Sequence, residues 1–438
     1  MSKLKYLNGA ITVLKWTVLY PIDKENSPLK KFFYFTWALF FISSFVTSVI
    51  QCVMFLLTTE FDLLKEGMVI MNAAIYITLF INFFIFYYKS DSLVKLVHII
   101  NETFVDETDN EIDKITMKEA SDLTNKLSYC WTMSVVASGL FSGFLPLYIG
   151  DRNIMPIPGW FPYDYTKSPQ YELSYIWQIF CQINLGLIYG ASDMIYPSMT
   201  IVIGQQFKIL ANNFSNNVHF AFVKSGLSTD TVKDFKVNSQ HQSLVALMQN
   251  YKDVFSLMQD RRFKQTNREY LCKNIRHHQM LIKCCHDLND IMSLFLLAKI
   301  SAVTFNTIFI VFTLITVVPN NATRRCRLSL VTFQSGDRTM IVGLCCYAFF
   351  GNTELFIYNY GGQILIEGAD ILWTVYECPW YLCDLSFQKI FLFAQMKISK
   401  TVQTKAGNYF SMSAPTFISF IRCVFSYAAI LKEVTNFN

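Results

Sequence analysis

The chain has 438 residues, of which 53% are hydrophobic and 16% are charged, and its formal net charge is +5. Soluble domains carry about 25% charged residues, and a soluble chain of this length could not keep so much apolar side chain away from water. The composition therefore argues against a secreted enzyme, a disordered regulator and a nucleic-acid-binding protein.

Seven apolar stretches are long enough for a helix of about 20 residues to cross the ~30 Å hydrocarbon layer of a membrane. Because lipid leaves no partner for an open backbone, each stretch is predicted to be helical. The fourth and fifth exceed the required length, so we expect them to tilt or to extend into water. Buried core helices of a large soluble protein are the alternative, which these lengths disfavour. The predicted spans are 34–57, 69–88, 129–149, 174–204, 288–318, 340–358 and 412–431.

The distribution of Lys and Arg indicates the orientation of the spans, because cytoplasmic loops carry an excess of them. With a cytoplasmic amino end, the inner segments hold 27 of the 37 Lys and Arg residues. Residues 1–16 lack a continuous apolar core, so no cleaved signal peptide is expected. The predicted fold class is an all-α polytopic membrane protein with seven transmembrane helices, a cytoplasmic amino terminus and an extracellular carboxyl terminus. Its predicted parts are a cytoplasmic N-terminal segment at 1–33, spans one to four at 34–205, a cytoplasmic helical loop at 206–287, spans five and six at 288–358, a helical cytoplasmic anchor at 359–410, and the last span with a short extracellular tail at 411–438.

The predicted cytoplasmic segments contain amphipathic stripes, with apolar residues at three- and four-residue steps. Such stripes occur at 112–127, 244–258, 271–292 and 380–398, and the third predicts that span five continues into the cytoplasm as one long helix. These helices can bury their apolar faces against each other or against a neighbouring subunit, which favours an oligomer.

Cysteine usage agrees with this topology. Of the twelve cysteines, only Cys326 falls in a predicted outer loop, so no disulfide framework is expected. The same loop contains the sequon Asn321-Ala322-Thr323, which makes Asn321 a candidate glycosylation site. The segment 322–336 is unusually basic for an outer loop, and it is either a lineage-specific insertion or a gene-model error.

Motifs for catalysis or cofactor binding are missing from the sequence. It has no phosphate-binding glycine loop, no His-Glu-x-x-His helix and no nucleophile elbow, so we predict neither an enzyme nor a cofactor. One His/Cys group precedes span five, but its spacing fits no Cys-x-x-Cys pair and scatters over several helix faces, so no metal site is predicted. Its members are Cys272, His277, His278, Cys284, Cys285 and His286.

Ionisable residues inside spans are candidates for function because burying them in lipid is costly. Asp193 and Lys299 lie about 12 and 11 residues from the inner ends of their spans, and at ~1.5 Å per residue their depths match. We hypothesise that they form an ion pair that joins spans four and five. The alternative places both in water-accessible helix ends. Glu354 and Arg422 lie nearer the membrane edges, where their side chains are expected to reach toward water.

The outer halves of spans two to six are rich in aromatic and small polar side chains. Hydrophobic walls with a few polar groups are typical of a pocket for a small, mostly apolar molecule. Plain helix packing is the alternative for any single residue. The candidate pocket residues are Asn72, Tyr76, Ser138, Phe141, Tyr175, Gln178, Phe305, Phe309, Cys345 and Tyr347.

The last span places Tyr427, Ile430 and Val434 on one narrow helical face. Repeated around a central axis, this face would form an apolar constriction that gates ions by dewetting, and Glu433 beside it would favour cations. Packing against lipid is the alternative.

Short motifs in the C-terminal third resemble the signature of insect odorant receptors. They are YECPWY at 376–381, AG at 406–407, TF at 416–417 and FSYAAIL at 425–431, with ELF at 354–356 and GG at 361–362 upstream. The resemblance implies a subunit of an odorant-gated, non-selective cation channel that binds a small volatile molecule. It also implies a heterotetramer with a shared co-receptor in the plasma membrane of sensory neuron dendrites, and no nucleic-acid partner.

By the same resemblance, Ile430 and Val434 occupy the pore-gate positions, and Glu433 stands where the co-receptor usually carries an uncharged amide. The co-receptor is usually longer, which identifies this chain as a tuning subunit. The alternatives are an insect gustatory receptor and a G-protein-coupled receptor. The first places Gln-Phe where Leu431-Lys432-Glu433 stands here, and the second needs an outside amino end.

Overall fold

The computed structural model describes residues 6–17, 19–20, 27–58, 63–106, 111–149, 155–241, 244–322 and 335–436. Within these ranges the chain is almost entirely helical, as predicted. The first seven helices are α1 Asn8–Trp16, α2 Pro28–Thr58, α3 Leu63–Tyr88, α4 Ser90–Asp106, α5 Glu111–Ile149, α6 Gln170–Asp193 and α7 Ile195–Ser215. The others are α8 Asn217–Lys224, α9 Thr229–His241, α10 Leu244–Asn250, α11 Lys252–Gln259, α12 Arg261–Ala322, α13 Ser335–Asp370, α14 Leu385–Ile398 and α15 Ala414–Asn436.

Five of the described helices are long and apolar enough to cross a membrane. They are α2, α3, α5, α12 and α13, and α15 adds a shorter apolar stretch at Ala414–Ile430. The long helix predicted for span five is confirmed, because α12 runs for 62 residues without interruption. At ~1.5 Å per residue it reaches from the base of the molecule to the far end of the bundle.

The fourth predicted span is two helices, α6 and α7, which meet at Met194. Pro197 explains the break, because its ring would clash with the carbonyl of Asp193 in a continuous helix and it has no N–H to donate there. Helix α7 is the most central element, and its residues from Ile195 to Gly204 are all buried. Hydropathy alone does not reveal this interruption, since both halves are equally apolar.

Glycines allow α7 and α13 to approach until their backbones touch. A Cβ at Gly368 would overlap the carbonyl oxygen of Gly204, and a Cβ at Gly204 would lie 2.8 Å from the carbonyl oxygen of Ile364. A Cβ at Gly361 would lie 2.7 Å from Thr200 Oγ1 on the same pair of helices. The two helices therefore form a close-packed pair along several turns.

A helical base lies at one end of the bundle and comprises α8 to α11, the first half of α12, and α14. Two 3₁₀ turns, Ile371–Glu377 and Trp380–Leu382, connect α13 to α14. The continuous helix predicted from the stripe at 244–258 is wrong, because the chain breaks at Tyr251 between α10 and α11. Its apolar members Leu247, Val254 and Met258 are nevertheless buried.

His219, on α8 in this base, is buried, and neither ring nitrogen has a hydrogen-bond partner among the described residues. Burial, together with the positive charge of Lys236, lowers the pKa of His219 to about 4. Between pH 6.5 and pH 4 the unfolded chain therefore binds a proton that the folded protein does not, so stability falls as the pH falls.

We expect His219→Gln to remove roughly 2 kcal/mol from the difference in unfolding free energy between pH 7 and pH 5. Thermal unfolding of the purified protein at both pH values measures this difference. His286→Gln, at an exposed histidine, serves as the control and should leave the difference unchanged. Equal pH dependence in wild type and His219→Gln would contradict the assignment.

A small hairpin precedes the last helix and joins it to the bundle. Its strands are β1 Lys405–Ala406 and β2 Phe410–Ser411, paired antiparallel. Gly407 and Asn408 at the turn have φ values of 57° and 63°, a backbone conformation in which glycine is unstrained and asparagine is tolerated.

The hairpin is held from three sides. Lys405 N donates to Asn289 Oδ1 on α12 at 2.7 Å, and Gly407 N donates to the Ser293 carbonyl on the same helix at 3.0 Å. On α7, the Tyr196 hydroxyl lies 2.5 Å from Thr404 Oγ1. At the start of α15, Ser413 N donates to Asn359 Oδ1 at 3.0 Å and Ala414 N to Gln363 Oε1 at 3.2 Å, both on α13.

Candidate functional site

A cavity of about 190 Å³ lies between α3, α5, α6, α12 and α13. Each of the five helices contributes at least one apolar or aromatic side chain to its wall. Tyr76, Trp131, Tyr189, Val303 and Phe350 come from these helices in that order. Such a cavity suits a small, largely apolar ligand.

Half of the candidate pocket residues line this cavity. They are Asn72, Tyr76, Ser138, Phe141 and Tyr347. Asn72 and Tyr347 are also joined, because the Tyr347 hydroxyl donates to Asn72 Oδ1 at 2.9 Å. These two polar groups of the wall therefore hold each other in position.

The other five candidates lie outside the cavity wall. Gln178 lines a smaller pocket beside it, and Tyr175 is buried under the loop before α6, where its hydroxyl donates to the Gly143 carbonyl. Phe309 packs in a separate apolar cluster and stacks on Phe305, which is half exposed. Cys345 is exposed, and its neighbour Cys346 lines the cavity instead.

The smaller pocket, of about 30 Å³, adjoins the cavity between α2, α3 and α6, and Asn72 and Tyr76 line both. The loop before α6 covers it. Gln178 holds this loop by two hydrogen bonds, accepting from Ile157 N at 3.4 Å and donating to the Ile157 carbonyl at 3.1 Å. Trp160 N also donates to the Gln51 carbonyl on α2 at 3.3 Å. Together these bonds fasten the loop over one side of the cavity.

Asp193 and Lys299, for which an ion pair was hypothesised, lie together in the structure. Lys299 Nζ is 2.6 Å from Asp193 Oδ1, and both side chains are completely buried. Lys299 Nζ also lies 3.1 Å from Glu354 Oε1 and 3.1 Å from the centre of the Tyr189 ring. The ammonium group therefore joins α6, α12 and α13 at one point.

Two hydroxyls and an indole complete this group, which we call the ionic cluster: Asp193, Lys299, Glu354, Tyr189, Tyr358 and Trp131. The Tyr189 hydroxyl donates to Glu354 Oε2 at 2.7 Å, and Trp131 Nε1 donates to Asp193 Oδ2 at 3.2 Å. The Tyr358 hydroxyl lies 2.8 Å from Asp193 Oδ1 and 3.0 Å from Glu354 Oε1. Buried charges at this depth persist only when they are paired and hydrogen-bonded, as they are here.

The expectation that Glu354 reaches toward water is wrong, because the residue is only 1% exposed. Its helix turns the carboxylate inward, toward Lys299 and the cavity. Tyr358, four residues later, lies on the same helical face. This i, i+4 pair of polar side chains in an apolar span is the sequence signal that could have placed Glu354 in the cluster. Arg422, for which the same expectation holds, is exposed.

The residues predicted to line a pore lie apart from the cavity, on α15. Tyr427 and Ile430 are 52% and 56% exposed, and Glu433 is exposed, whereas Val424 and Ala428 face the rest of the chain. The exposed face is therefore not covered by the bundle itself. The side chain of Val434 lies outside the described residues.

Within the described ranges, no group of three or more His, Cys, Asp or Glu side chains could hold a metal ion. His277, His278, Cys284 and Cys285 are buried along α12, and His286 is exposed and lies 3.2 Å from Asp290. The backbone of Asn321 belongs to the end of α12, but its side chain, Cys326 and residues 323–334 of the basic segment lie outside the described part of the chain.

Comparisons with known proteins agree with this architecture. The model of the 7tm Odorant receptor family matches residues 63–425. Putative odorant receptor 85e of Drosophila melanogaster is 23% identical over 334 residues, covering 73% of this chain and 67% of that protein. Odorant receptor 83a of the same species is 20% identical over 302 residues, covering 66% of this chain and 62% of that protein. The matches thus span about two thirds of the relatives' length.

The insect olfactory receptor OR5 from Machilis hrabei, solved in complex with eugenol, has a similar fold. Its TM-score is 0.70 with 12% sequence identity, and the match covers 99% of this chain and 98% of that one. A second structure of the same receptor matches with a TM-score of 0.69 and 13% identity, over 98% of both chains. At this identity the likeness establishes the fold.

Proposed function

The chain belongs to the 7tm odorant receptor family, and from this we propose that it is an odorant receptor subunit that binds a small volatile molecule inside its helical bundle. Binding gates a non-selective cation channel formed together with a shared co-receptor in a heterotetramer. Family membership favours this function over the gustatory and G-protein-coupled alternatives.

The observation that carries the proposal is the cavity between α3, α5, α6, α12 and α13. Its volume of about 190 Å³ and its aromatic wall suit a small volatile molecule, and only a few polar groups interrupt the apolar surface. Asn72, Tyr347 and Glu354 each supply a hydrogen-bonding group to the wall. A ligand could thus be held by shape and oriented by one polar contact.

The proposed membrane arrangement has seven crossings, with α6 and α7 together forming the fourth. The amino end and the helical base lie in the cytoplasm, and the carboxyl end lies outside. The boundaries between the membrane-spanning and cytoplasmic parts are those that the sequence predicts, after residues 33, 205, 287, 358 and 410. The excess of Lys and Arg in the helical base supports this orientation. We place the protein in the plasma membrane of sensory neuron dendrites.

The proposed pore lies along α15. Tyr427 and Ile430 occupy a face of this helix that the rest of the chain leaves uncovered. Four such faces around an axis would form an apolar constriction, with Val434 one turn beyond Ile430 and Glu433 near the mouth. Asn321, on the outer side of this arrangement, is the proposed glycosylation site.

Current recording tests the function. Cells that express this chain with the co-receptor should show cation currents when a panel of volatile molecules is applied, and cells that express the chain alone should not. Ile430→Ala should also raise the current measured without odorant several-fold, because a smaller side chain wets the constriction. Ile418→Ala, at an equally exposed position on another part of α15, is the matched control.

Two outcomes would count against the proposal. If the protein reached the cell surface but gave no current with any molecule of a broad odorant panel, the proposed receptor function would be wrong. Equal ligand-free currents in the two isoleucine variants would remove Ile430 from the gate while leaving the receptor function in place.

A further inference from the structure

The ionic cluster contains two carboxyl groups and one ammonium group. Asp193, Glu354 and Lys299 have side-chain exposures of 0%, 2% and 0%. If both carboxyl groups were ionised, the cluster would carry one uncompensated negative charge in a buried, apolar setting. Such a site neutralises itself by taking up a proton or another cation.

The hydrogen bonds of Tyr358 link the two carboxyl groups. Its hydroxyl is within bonding distance of both Asp193 Oδ1 and Glu354 Oε1, yet a hydroxyl has one proton to donate. A proton taken up by the pair of carboxyl groups can make the second of these contacts. Lys299 Nζ also contacts both acids, at 2.6 Å from Asp193 Oδ1 and 3.1 Å from Glu354 Oε1. The two acids therefore form one connected group that shares a single proton.

Glu354 is also the acid that the cavity reaches. Among the described residues, Glu354, Tyr189 and Trp131 line the cavity, whereas Asp193 and Lys299 do not. Glu354 Oε2 accepts one hydrogen bond, from Tyr189, and a carboxyl oxygen has room for a second. A ligand in this part of the cavity therefore meets an acid and aromatic rings. The Tyr189 ring already holds one ammonium group, that of Lys299, at 3.1 Å.

We propose that this cavity prefers a small volatile primary amine, which Glu354 binds as its ammonium ion. The neutral amine enters the apolar cavity, and its nitrogen lone pair accepts the proton that the two carboxyl groups share. The products are an alkylammonium ion and a carboxylate, with no proton exchanged with water. The cluster then contains two cations and two anions, and its charges balance. This inference rests on the proposed function and specifies the ligand class of the same cavity.

The charged and titratable groups around Glu354 leave one carboxyl group without a cation of its own. Lys299 on α12 contacts both Asp193 on α6 and Glu354, so one ammonium group faces two acids. Tyr189 on α6 and Tyr358 on α13 are hydroxyls that donate or accept without carrying charge. Trp131 on α5 donates only. No second ammonium or guanidinium group among the described residues lies within 4 Å of the Glu354 carboxylate. An incoming ammonium ion is therefore the partner that the cluster lacks.

The test compares 2-phenylethylamine with 2-phenylethanol, which differ only in the amine and hydroxyl groups. Binding to the purified receptor complex is followed by thermal shift, and response by current. Wild type should bind the amine at least tenfold more tightly than the alcohol. Glu354→Gln should abolish that preference while retaining affinity for the alcohol. Glu367→Gln, an exposed glutamate on the same helix, should behave as wild type.

A purely structural role for Glu354 gives a different result, in which Glu354→Gln weakens both ligands equally. Equal affinities in wild type would overturn the inference, as would a preference that survives in Glu354→Gln. If no ligand evokes current while the amine still binds preferentially, the proposed receptor function is contradicted, but the amine-binding site is supported.

Infrared difference spectroscopy supplies a readout on the wild-type protein that needs no variant. Addition of 2-phenylethylamine should remove a carboxylic-acid carbonyl band and produce carboxylate bands, and 2-phenylethanol should not. An unchanged carbonyl band on amine binding would place the proton elsewhere and overturn the mechanism.

Discussion

Replacing Lys299 with methionine is expected to cost about 3–5 kcal/mol of folding free energy, enough to prevent most of the protein from reaching the cell surface. The ammonium group is completely buried and bonds to both Asp193 and Glu354. Methionine fills a similar volume but leaves two buried carboxyl groups without a cation. Surface biotinylation and thermal unfolding of the purified protein measure the loss.

The charges of the ionic cluster predict the relative losses of folding free energy among related variants. Asp193→Asn or Glu354→Gln leaves one carboxylate opposite Lys299, so each should cost less than Lys299→Met. Removing all three charges together should recover most of the stability, because no unpaired charge remains. Lys389→Met, at an exposed lysine on α14, is the control and should have little effect. Wild-type stability in Lys299→Met would show that the cluster is not a structural joint.

Replacing Gly368 with alanine is the second change with a large expected effect. The added methyl group would overlap the carbonyl oxygen of Gly204, and a backbone atom cannot move aside as the end of a flexible side chain does. We expect a loss of about 3 kcal/mol, since α7 and α13 must separate over several turns. Thermal unfolding of the purified protein measures it.

Gly351 on the same helix provides a matched control. A Cβ there would lie 3.4 Å from Val303 Cγ1, an ordinary packing distance. Because alanine favours helix over glycine by up to about 1 kcal/mol, Gly351→Ala should leave stability unchanged or raise it. Equal losses at the two glycines would indicate that close backbone approach is not the reason.

Hydropathy predicted the main helices because the length of an apolar run depends only on the thickness of the layer it crosses. It also matched the depths of Asp193 and Lys299, since depth follows from counting residues along a helix. The break at Met194 was missed, although Pro197 marks it. The break at Tyr251 has no proline or glycine beside it and follows from packing in the helical base.

The sequence did not predict which face of each helix points toward the cavity. Cys345 is a predicted pocket residue, but Cys346, about 100° around the helix, lines the cavity. Phe305 and Phe309 are aromatic and lie at the expected level along α12. The adjacent polar residues Asn306 and Thr307 face the cavity instead. Which face points inward depends on how five helices pack together, and no single helix encodes that.

The hairpin before α15 has a mechanical consequence. Hydrogen bonds to α7, α12 and α13 fix the chain from Thr404 to Ala414, so the first turn of α15 acts as a pivot. Ile430 lies 16 residues beyond Ala414, a lever arm of about 24 Å at ~1.5 Å per residue. A tilt of about 5° at the pivot would carry Ile430 sideways by roughly 2 Å over that length. In the proposed tetramer, a displacement of that size in each subunit would be comparable to the radius of a water molecule, so a tilt this small would suffice to open the proposed pore.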